Sequence, residues 1–292
     1  MNGALLVDKP AGVTSHDVVA IVRRVLGQRS VGHTGTLDPF ATGLLVILVG
    51  KATRLSRFLD GLPKVYAGTV RLGQGSDTDD ATGTLTPARP TTHDPRPGRD
   101  QVAAALQEFV GTSDQMPPTY SAKKIDGERA YKRAREGKEV VLQPAAVTVH
   151  TADLLRYEWP DAEIRVSVSA GTYIRSLARD LGGKLGTVAH CASLRREAIG
   201  EFRVDAAISL EVLQDGVAEG RTGGKFTPLE LVAHLPRQEV TEAELVDLGH
   251  GRAIAGRVAE GTTALVHEEQ LIAIAEVKDG KAQPVVVLTG AE

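Results

Sequence analysis

Asp38 is the single acid in GHTGTLDPFATGLLVILVG, residues 32–50. Small and turn-forming residues lead into it, and an apolar run follows. A carboxylate placed there can attack an electron-poor carbon if it is ionised and held still. Burial alone favours the protonated acid, so this chemistry requires an opposite charge or hydrogen bonds to the anion. Arginine serves best, because its guanidinium is always charged and can grip a carboxylate with two N–H groups. GTYIRSLARDLG, residues 171–182, offers Arg175 in the first turn of an expected helix, two residues after Tyr173. Taken alone, Asp-Pro also suits a plain turn, Arg175 a solvated helix face and Tyr173 an apolar core. The residues themselves leave these readings open.

Other routes to chemistry lack their motifs. No GxxxxGK[ST] phosphate loop and no G-x-S-x-G elbow occur. GQGSDTDDATG, residues 73–83, is glycine-rich but lacks the spacing of a dinucleotide loop, and reads as a turn. The histidines are scattered without an HxxxH pair, so no metal site is expected. Cys191 is the only cysteine, which excludes an internal disulfide and points to a reduced, cytoplasmic protein. The longest apolar run, Leu44 to Val49, is too short to cross a bilayer, and the N-terminus shows no secretory signal. No membrane association is expected.

Net charge is −3, which by itself argues against a nucleic-acid partner. The distribution argues otherwise. Residues 1–200 hold 26 Lys+Arg against 21 Asp+Glu, a net of +5, and residues 201–292 hold 8 against 16, a net of −8. The bases concentrate in KKIDGERAYKRAREGK, residues 123–138. Attraction to phosphate follows such local clusters, although a solvated helix face would look the same.

Several elements must position the candidate residues. ALLVDKP reads as a buried strand. TSHDVVAIVRRVLG reads as a helix capped by Ser15 and stopped by Gly27, with Asp17 in its first turn and Val18, Ile21, Val22, Val25 and Leu26 on one face. Strands are expected at 43–49, 66–73, 139–150, 152–158 and 163–169. Helices are expected at 52–59, 128–137, 172–182 and 100–110, the last with Asp100 as cap and Val102, Leu106, Phe109 and Val110 inward. Residues 86–100 carry four prolines and read as an exposed loop. Strands and helices mix without a βαβ rhythm, which predicts an α+β fold with a mixed, mainly antiparallel central sheet flanked by helices. Beyond Pro236, short β-type runs between glycine turns predict a small β-barrel-like domain at 236–292, after a main domain at 1–235.

Six blocks in order resemble the TruB family of bacterial tRNA pseudouridine-55 synthases: LLVDKPAGVTS, GHTGTLDPFATGLL, KVYAGTVRLG followed by TDDATG, PPTYSAKKIDGERAYKRAREG, GTYIRSLARDLG and CASLRREAIGEF. The resemblance covers about residues 1–203, and the tail resembles the PUA-type RNA-binding domain more loosely. It implies the pseudouridine synthase fold with an RNA-contacting insertion at about 115–145, and uridine isomerisation in the T loop of tRNA after base flipping. It implies Asp38 as the catalytic aspartate, Arg175 as the arginine that holds it, and Asp80 as the acid that braces Arg175. Tyr66 would stack on the uracil, Tyr173 and Leu194 line the base pocket, Lys9 support the active-site loop, and His33 fill the place left by the flipped base. Lys123, Lys124, Arg129, Lys132, Arg195 and Arg196 would bind RNA phosphates. Isomerisation is redox-neutral, so no cofactor and no metal are expected. The partner would be the T-stem loop of tRNA, met by a monomer. The alternatives are an RNA-binding or tRNA-folding module whose catalysis is dispensable, and a guide-RNA-dependent synthase.

Overall fold

The computed structural model describes residues 1–87, 96–120, 142–215 and 224–288, and the backbone alone of 124–125 and 128–129. Two apolar strands form its centre, β1 (Gly3–Lys9) and, after β2 (Val31–Thr34), β3 (Thr42–Val49). β1 and β3 pair antiparallel with Leu6 opposite Val46. Alternate side chains leave a strand on opposite faces. Leu5, Val7, Leu45 and Ile47 meet Val18 and Val22 of helix α1 (Ser15–Leu26) on one face. On the other, Ala4, Leu6, Leu44, Val46 and Leu48 meet Ala264, Val266 and Ile274 of the C-terminal sheet. With apolar layers on both sides, neither strand keeps a polar face, hence the unbroken hydrophobic run.

The main sheet continues through β4 (Lys64–Leu72), β5 (Gly111–Gln115), β6 (Ala145–Glu158), β7 (Asp161–Val168) and β8 (Ala189–Ile199). Its order is β1–β3–β8–β4–β7–β6–β5. Only the β3–β8 contact in that series is parallel, with Arg195 opposite Thr42 and Arg196 opposite Gly43. Gly43 is required there. Its φ is +100°, and a Cβ would lie 2.3 Å from the Arg196 carbonyl oxygen. The mixed, mainly antiparallel sheet agrees with the α+β expectation. Helices α2 (Ser56–Asp60), α3 (Arg99–Gln107) and α4 (Ile174–Lys184) complete the body, and α3 and α4 bury Val102, Leu106, Leu177 and Leu181 against Val70, Ile164 and Val166.

Several expectations are corrected in detail. Thr14, not Ser15, caps α1, in a reciprocal pair with Asp17, while Gly27 ends the helix in the left-handed conformation. Gly98, not Asp100, caps α3, its N–H donating to Gln101 Oε1 at 2.8 Å. Val110 is exposed rather than inward. The expected strand 152–158 and residues 145–150 of the expected strand 139–150 form one strand, β6, whose register with β7 shifts twice, while 139–141 lie outside the described residues. Residues 128–129 pair with 124–125 as a short hairpin instead of starting a helix, and the rest of 128–137 lies outside the described residues. So does 88–95 of the proline-rich segment.

A second sheet follows: β9 (Arg237–Glu239), β10 (Ile254–Ala255), β11 (Gly261–His267), β12 (Gln270–Lys278) and β13 (Lys281–Val287), in the order β9–β11–β12–β13–β10. It curls as a half-barrel around Val240, Leu248, Leu265, Ile272 and Ala273. Asp279 and Gly280, both at positive φ, make the tight turn between its last two long strands.

Candidate active site

Asp38 stands in the turn between β2 and β3, and residues from the start of the chain hold that turn. Ser15 is buried because its hydroxyl serves the turn. Ser15 Oγ accepts from the Leu37 N–H at 2.9 Å and donates to the Leu37 carbonyl at 3.2 Å. Lys9 is buried with its ammonium on three carbonyls, Pro10 at 2.8 Å, Val13 at 2.9 Å and Pro39 at 3.4 Å. The Gly12 N–H reaches Pro39 O as well, at 2.8 Å. Leu37 is buried between these ties. The Asp-Pro turn therefore presents Asp38 from a fixed frame. Burial pushes the Lys9 ammonium down to about 8, and the Asp38 carboxylate partly offsets that fall.

Arg175 lies one residue inside α4 and is 4% exposed. Its Nε lies 2.9 Å from Asp38 Oδ2, and its Nη2 donates to Asp38 Oδ1 at 3.3 Å. Nη1 faces Asp80 Oδ2 at 3.3 Å and donates to the Thr78 carbonyl at 2.9 Å, and Nη2 also donates to the Tyr120 carbonyl at 3.0 Å. The other Asp80 oxygen accepts from Thr78 Oγ1, Thr82 N and Thr82 Oγ1. One guanidinium thus sits between two carboxylates, one fully engaged and one facing open space. Burial raises the Asp38 carboxyl above its ordinary value, Arg175 opposes the rise, and the Asp80 charge adds to it.

The open space is a cleft of about 400 Å³ lined by Asp38, Tyr66, Tyr173, Arg175 and Leu194, and also by Lys64 and Arg196 on a wall of strand residues. Sheet register assembles that wall, since Tyr66 pairs with Arg196 and Gly68 with Leu194 across β4 and β8. Tyr173 precedes α4, tied by a reciprocal amide pair: Gln115 Oε1 accepts its N–H at 2.8 Å and Gln115 Nε2 donates to its carbonyl at 3.0 Å. A cleft with one aromatic face, one apolar face and a clamped carboxylate suits a flat ring attached to a reactive carbon.

Comparison with known proteins identifies the family. Residues 23–174 match the model of the TruB family pseudouridylate synthase N-terminal domain, and residues 175–234 that of the tRNA pseudouridylate synthase B C-terminal domain. The tRNA pseudouridine synthase B of Thermobifida fusca is 43% identical, over 99% of both chains. That of Aquifex aeolicus is 41% identical, over 97% of this chain and 98% of its own. The chain belongs to the TruB family. Among solved structures, an H/ACA RNP bound to a substrate RNA containing 2′-deoxyuridine shares its fold, with a TM-score of 0.75 at 24% identity over 99% of this chain and 85% of that one. A Cbf5–Nop10–Gar1 complex gives 0.74 at 26% identity, over 98% and 85%.

Within this TruB-family cleft, Asp38, Tyr66, Tyr173, Arg175 and Leu194 come together, and Asp80 and Lys9 stand one step behind. His33 lies apart from the cleft lining, on β2, its ring edge-on to His16 with centroids 5.8 Å apart. Lys123 and Lys132 lie outside the described residues, as do the side chains of Lys124 and Arg129. The expected phosphate pair Arg195–Arg196 separates. Adjacent strand residues point to opposite faces, so Arg195 stays at the surface in a two-pronged pair with Asp8, at 3.0 and 2.7 Å. Arg196 is fully buried, and its Nε and Nη2 donate to Leu44 O and Gly35 O, each at 2.8 Å. It cannot serve an RNA backbone on the outer surface. Leu194 and Arg196 stand two apart on β8, so both face the cleft; no strand was expected there from the sequence. Sequence reasoning also missed Lys64, Asp60, Ser15 and the pair Arg179–Asp79, which closes at 2.9 Å one helical turn beyond Arg175.

Proposed function

We propose that the chain converts uridine to pseudouridine at position 55, in the T loop of tRNA, with Asp38 as the reacting carboxylate. The observation that carries this reading is the clamp of Asp38 by Arg175 at the edge of a cleft faced by Tyr66 and Leu194. The relatives named tRNA pseudouridine synthase B support the substrate. The target base leaves the loop stack, lies on Tyr66, and brings its ribose C1′ to Asp38. Asp38 either attacks C1′ or assists elimination to a glycal. The base then turns and rejoins the sugar through C5. Asp80 fixes Arg175, Lys9 fixes the turn, and His33 takes the vacated place in the loop. No cofactor enters, because the product is an isomer of the substrate.

Residues 1–235 would act as the synthase domain and 236–292 as a PUA-like RNA-binding domain, in a cytoplasmic monomer. No described helix is long and apolar enough to cross a membrane. The test is purified protein with one unmodified tRNA transcript and no guide RNA, scored for pseudouridine at the T-loop position. Product at that position supports the reading. RNA binding without product would favour a folding module, and activity only with added guide RNA would favour the guide-dependent alternative.

A further inference from the structure

The strand wall of the cleft carries two cations that the mechanism above leaves unused. Lys64 and Tyr66 alternate along β4, Leu194 and Arg196 along β8, and all four line the cleft. Lys64 is 7% exposed, and its ammonium donates to Asp60 O at 2.9 Å and Leu62 O at 2.7 Å, which leaves its third N–H uncommitted among the described residues. Arg196 Nη1 donates to no group among the described residues. Gly35 closes over both. A Cβ there would lie 3.1 Å from Arg196 Nη1 and 3.4 Å from Lys64 Cε, and its φ of +69° is itself one that only glycine adopts freely. The charged groups facing Lys64 are Arg196 from β8 and Asp60 from α2. Two adjacent buried cations held mainly by neutral carbonyls are costly, and such cost persists where a site uses the field.

Breaking the C1′–N1 bond sends the bonding pair onto the uracil ring. The ring becomes an anion with charge spread over N1, O2 and O4. Tyr66 pairs with Arg196 across the two strands and stands two residues from Lys64, so a ring held against Tyr66 in this cleft has both cations as neighbours. We propose that Lys64 and Arg196 form a receiving wall that stabilises the detached uracil anion while it turns. The proposal rests on the uridine reaction above. C5 then forms its bond to the sugar carbon, the C5 proton leaves to solvent, and N1 gains a proton, so atoms and charge balance without a co-reactant.

The test uses the full chain, a tRNA transcript and the variants Lys64→Met and Lys64→Arg, the second guarding against a mere packing loss. In single turnover at saturating enzyme, Lys64→Met slows rearrangement on the order of 10²-fold while RNA affinity stays within about twofold. Lys64→Arg restores most of the rate. Wild-type activity falls as pH rises through about 8, where Lys64, pushed down by burial and then by Arg196, loses its proton. Lys64→Arg shifts that limb upward, whereas Lys9 titrates alike in both. A 5-fluorouridine target, whose ring leaves more readily as an anion, narrows the Lys64→Met defect, scored as loss of the N-linked nucleoside. An equal defect on both substrates shows a structural role and overturns the proposal. Weakened binding with a flatter salt dependence and an intact saturated rate shows a phosphate contact and also overturns it. An inactive wild type removes the function as well, whereas an active wild type beside an equally active Lys64→Met removes this proposal alone.

Discussion

The cleft and the C-terminal sheet treat polar groups in opposite ways. Around the cleft the fold buries Lys9, Lys64, Asp80, Arg175 and Arg196. In the C-terminal sheet the described buried polar side chains are Gln238 and Thr263, both neutral and both tied to nearby backbone. Ion pairs in that region sit at its rim, as Arg257–Glu244 and Arg252–Asp247 do. Burying charge costs several kcal/mol per ion unless partners replace water. One half of the molecule therefore spends stability on a fixed field, and the other is an ordinary apolar sheet. Substitutions should separate the two: chemistry and stability move together in the cleft, stability alone in the sheet.

The largest effect belongs to Asp38. Asp38→Asn should lower the rate of pseudouridine formation at least ~10³-fold, because the amide can neither attack C1′ nor take up a proton. RNA affinity, measured by filter binding, should stay near wild type. The wild-type pH profile sharpens this. In the proposed reaction only the anion reacts, and burial raises the Asp38 carboxyl, so the acid limb of the single-turnover rate should lie above the ordinary carboxylate range and fall as pH drops through it. A rate that is flat down to the usual aspartate value would remove Asp38 as the titrating group.

Arg175→Met comes next and should act on both properties. It leaves Asp80, with a side chain 6% exposed, facing Asp38 without the cation between them. Loss of one partner from a buried ion set costs about 3–5 kcal/mol. Denaturant unfolding should show that loss, together with a fall in single-turnover rate. In the Asp38→Asn background the stability loss should shrink, since one of the two facing charges is gone. Equal losses in both backgrounds would mean that Arg175 acts through packing and its ties to the Thr78 and Tyr120 carbonyls, not through Asp38.

These residues were not equally legible in the sequence. β3 announced itself, because a strand buried on both faces has one sequence solution, a continuous apolar run. The α1 boundaries were legible at Gly27, where only the left-handed conformation ends the helix cheaply, but not at Ser15, whose hydroxyl serves the Leu37 turn while Thr14 caps. Asp38, Arg175 and Asp80 are far apart along the chain. Their meeting rests on the β3–β8–β4 order, which no local pattern encodes, and family blocks alone pointed to it. Arg196 was misread because two adjacent arginines look like one basic patch until strand alternation separates them. Lys64 was passed over because a lysine at a strand start is usually solvated.

On the sheet side, Ile274→Ala tests stability without chemistry. Ile274 is fully buried in the layer shared with Leu6, Val46 and Val266. Truncation there should cost about 2–4 kcal/mol, read from denaturant midpoints. The rate per folded molecule on tRNA should stay within about twofold. If the rate falls with stability, the C-terminal sheet shapes the cleft through the shared β1–β3 layer, and the contrast between the two regions fails.

The smallest effect sharpens the same contrast. Arg257 pairs with Glu244 at 2.7 Å with 44% of its side chain exposed, so Arg257→Ala should cost roughly 0.5 kcal/mol. Glu244 also accepts from Thr241 N at 2.8 Å and Thr241 Oγ1 at 3.0 Å, in the capping pair of the helix Glu242–Gly249, and keeps both after Arg257 is gone. Glu244→Ala loses the carboxylate half of that capping pair as well, while its N–H still reaches Thr241 Oγ1, and should cost about 1 kcal/mol. Arg257 and then Thr241 hold the Glu244 carboxyl down at about 2, so the pair's contribution is complete above the ordinary glutamate range and disappears as pH falls toward 2. Urea unfolding of both variants at pH 7 and pH 3 separates the two contributions. An Arg257→Ala loss as large as that of Arg175→Met would show that this rim pair is shielded from water like the cleft, and that the division between a charged interior and an apolar one does not follow the two sheets.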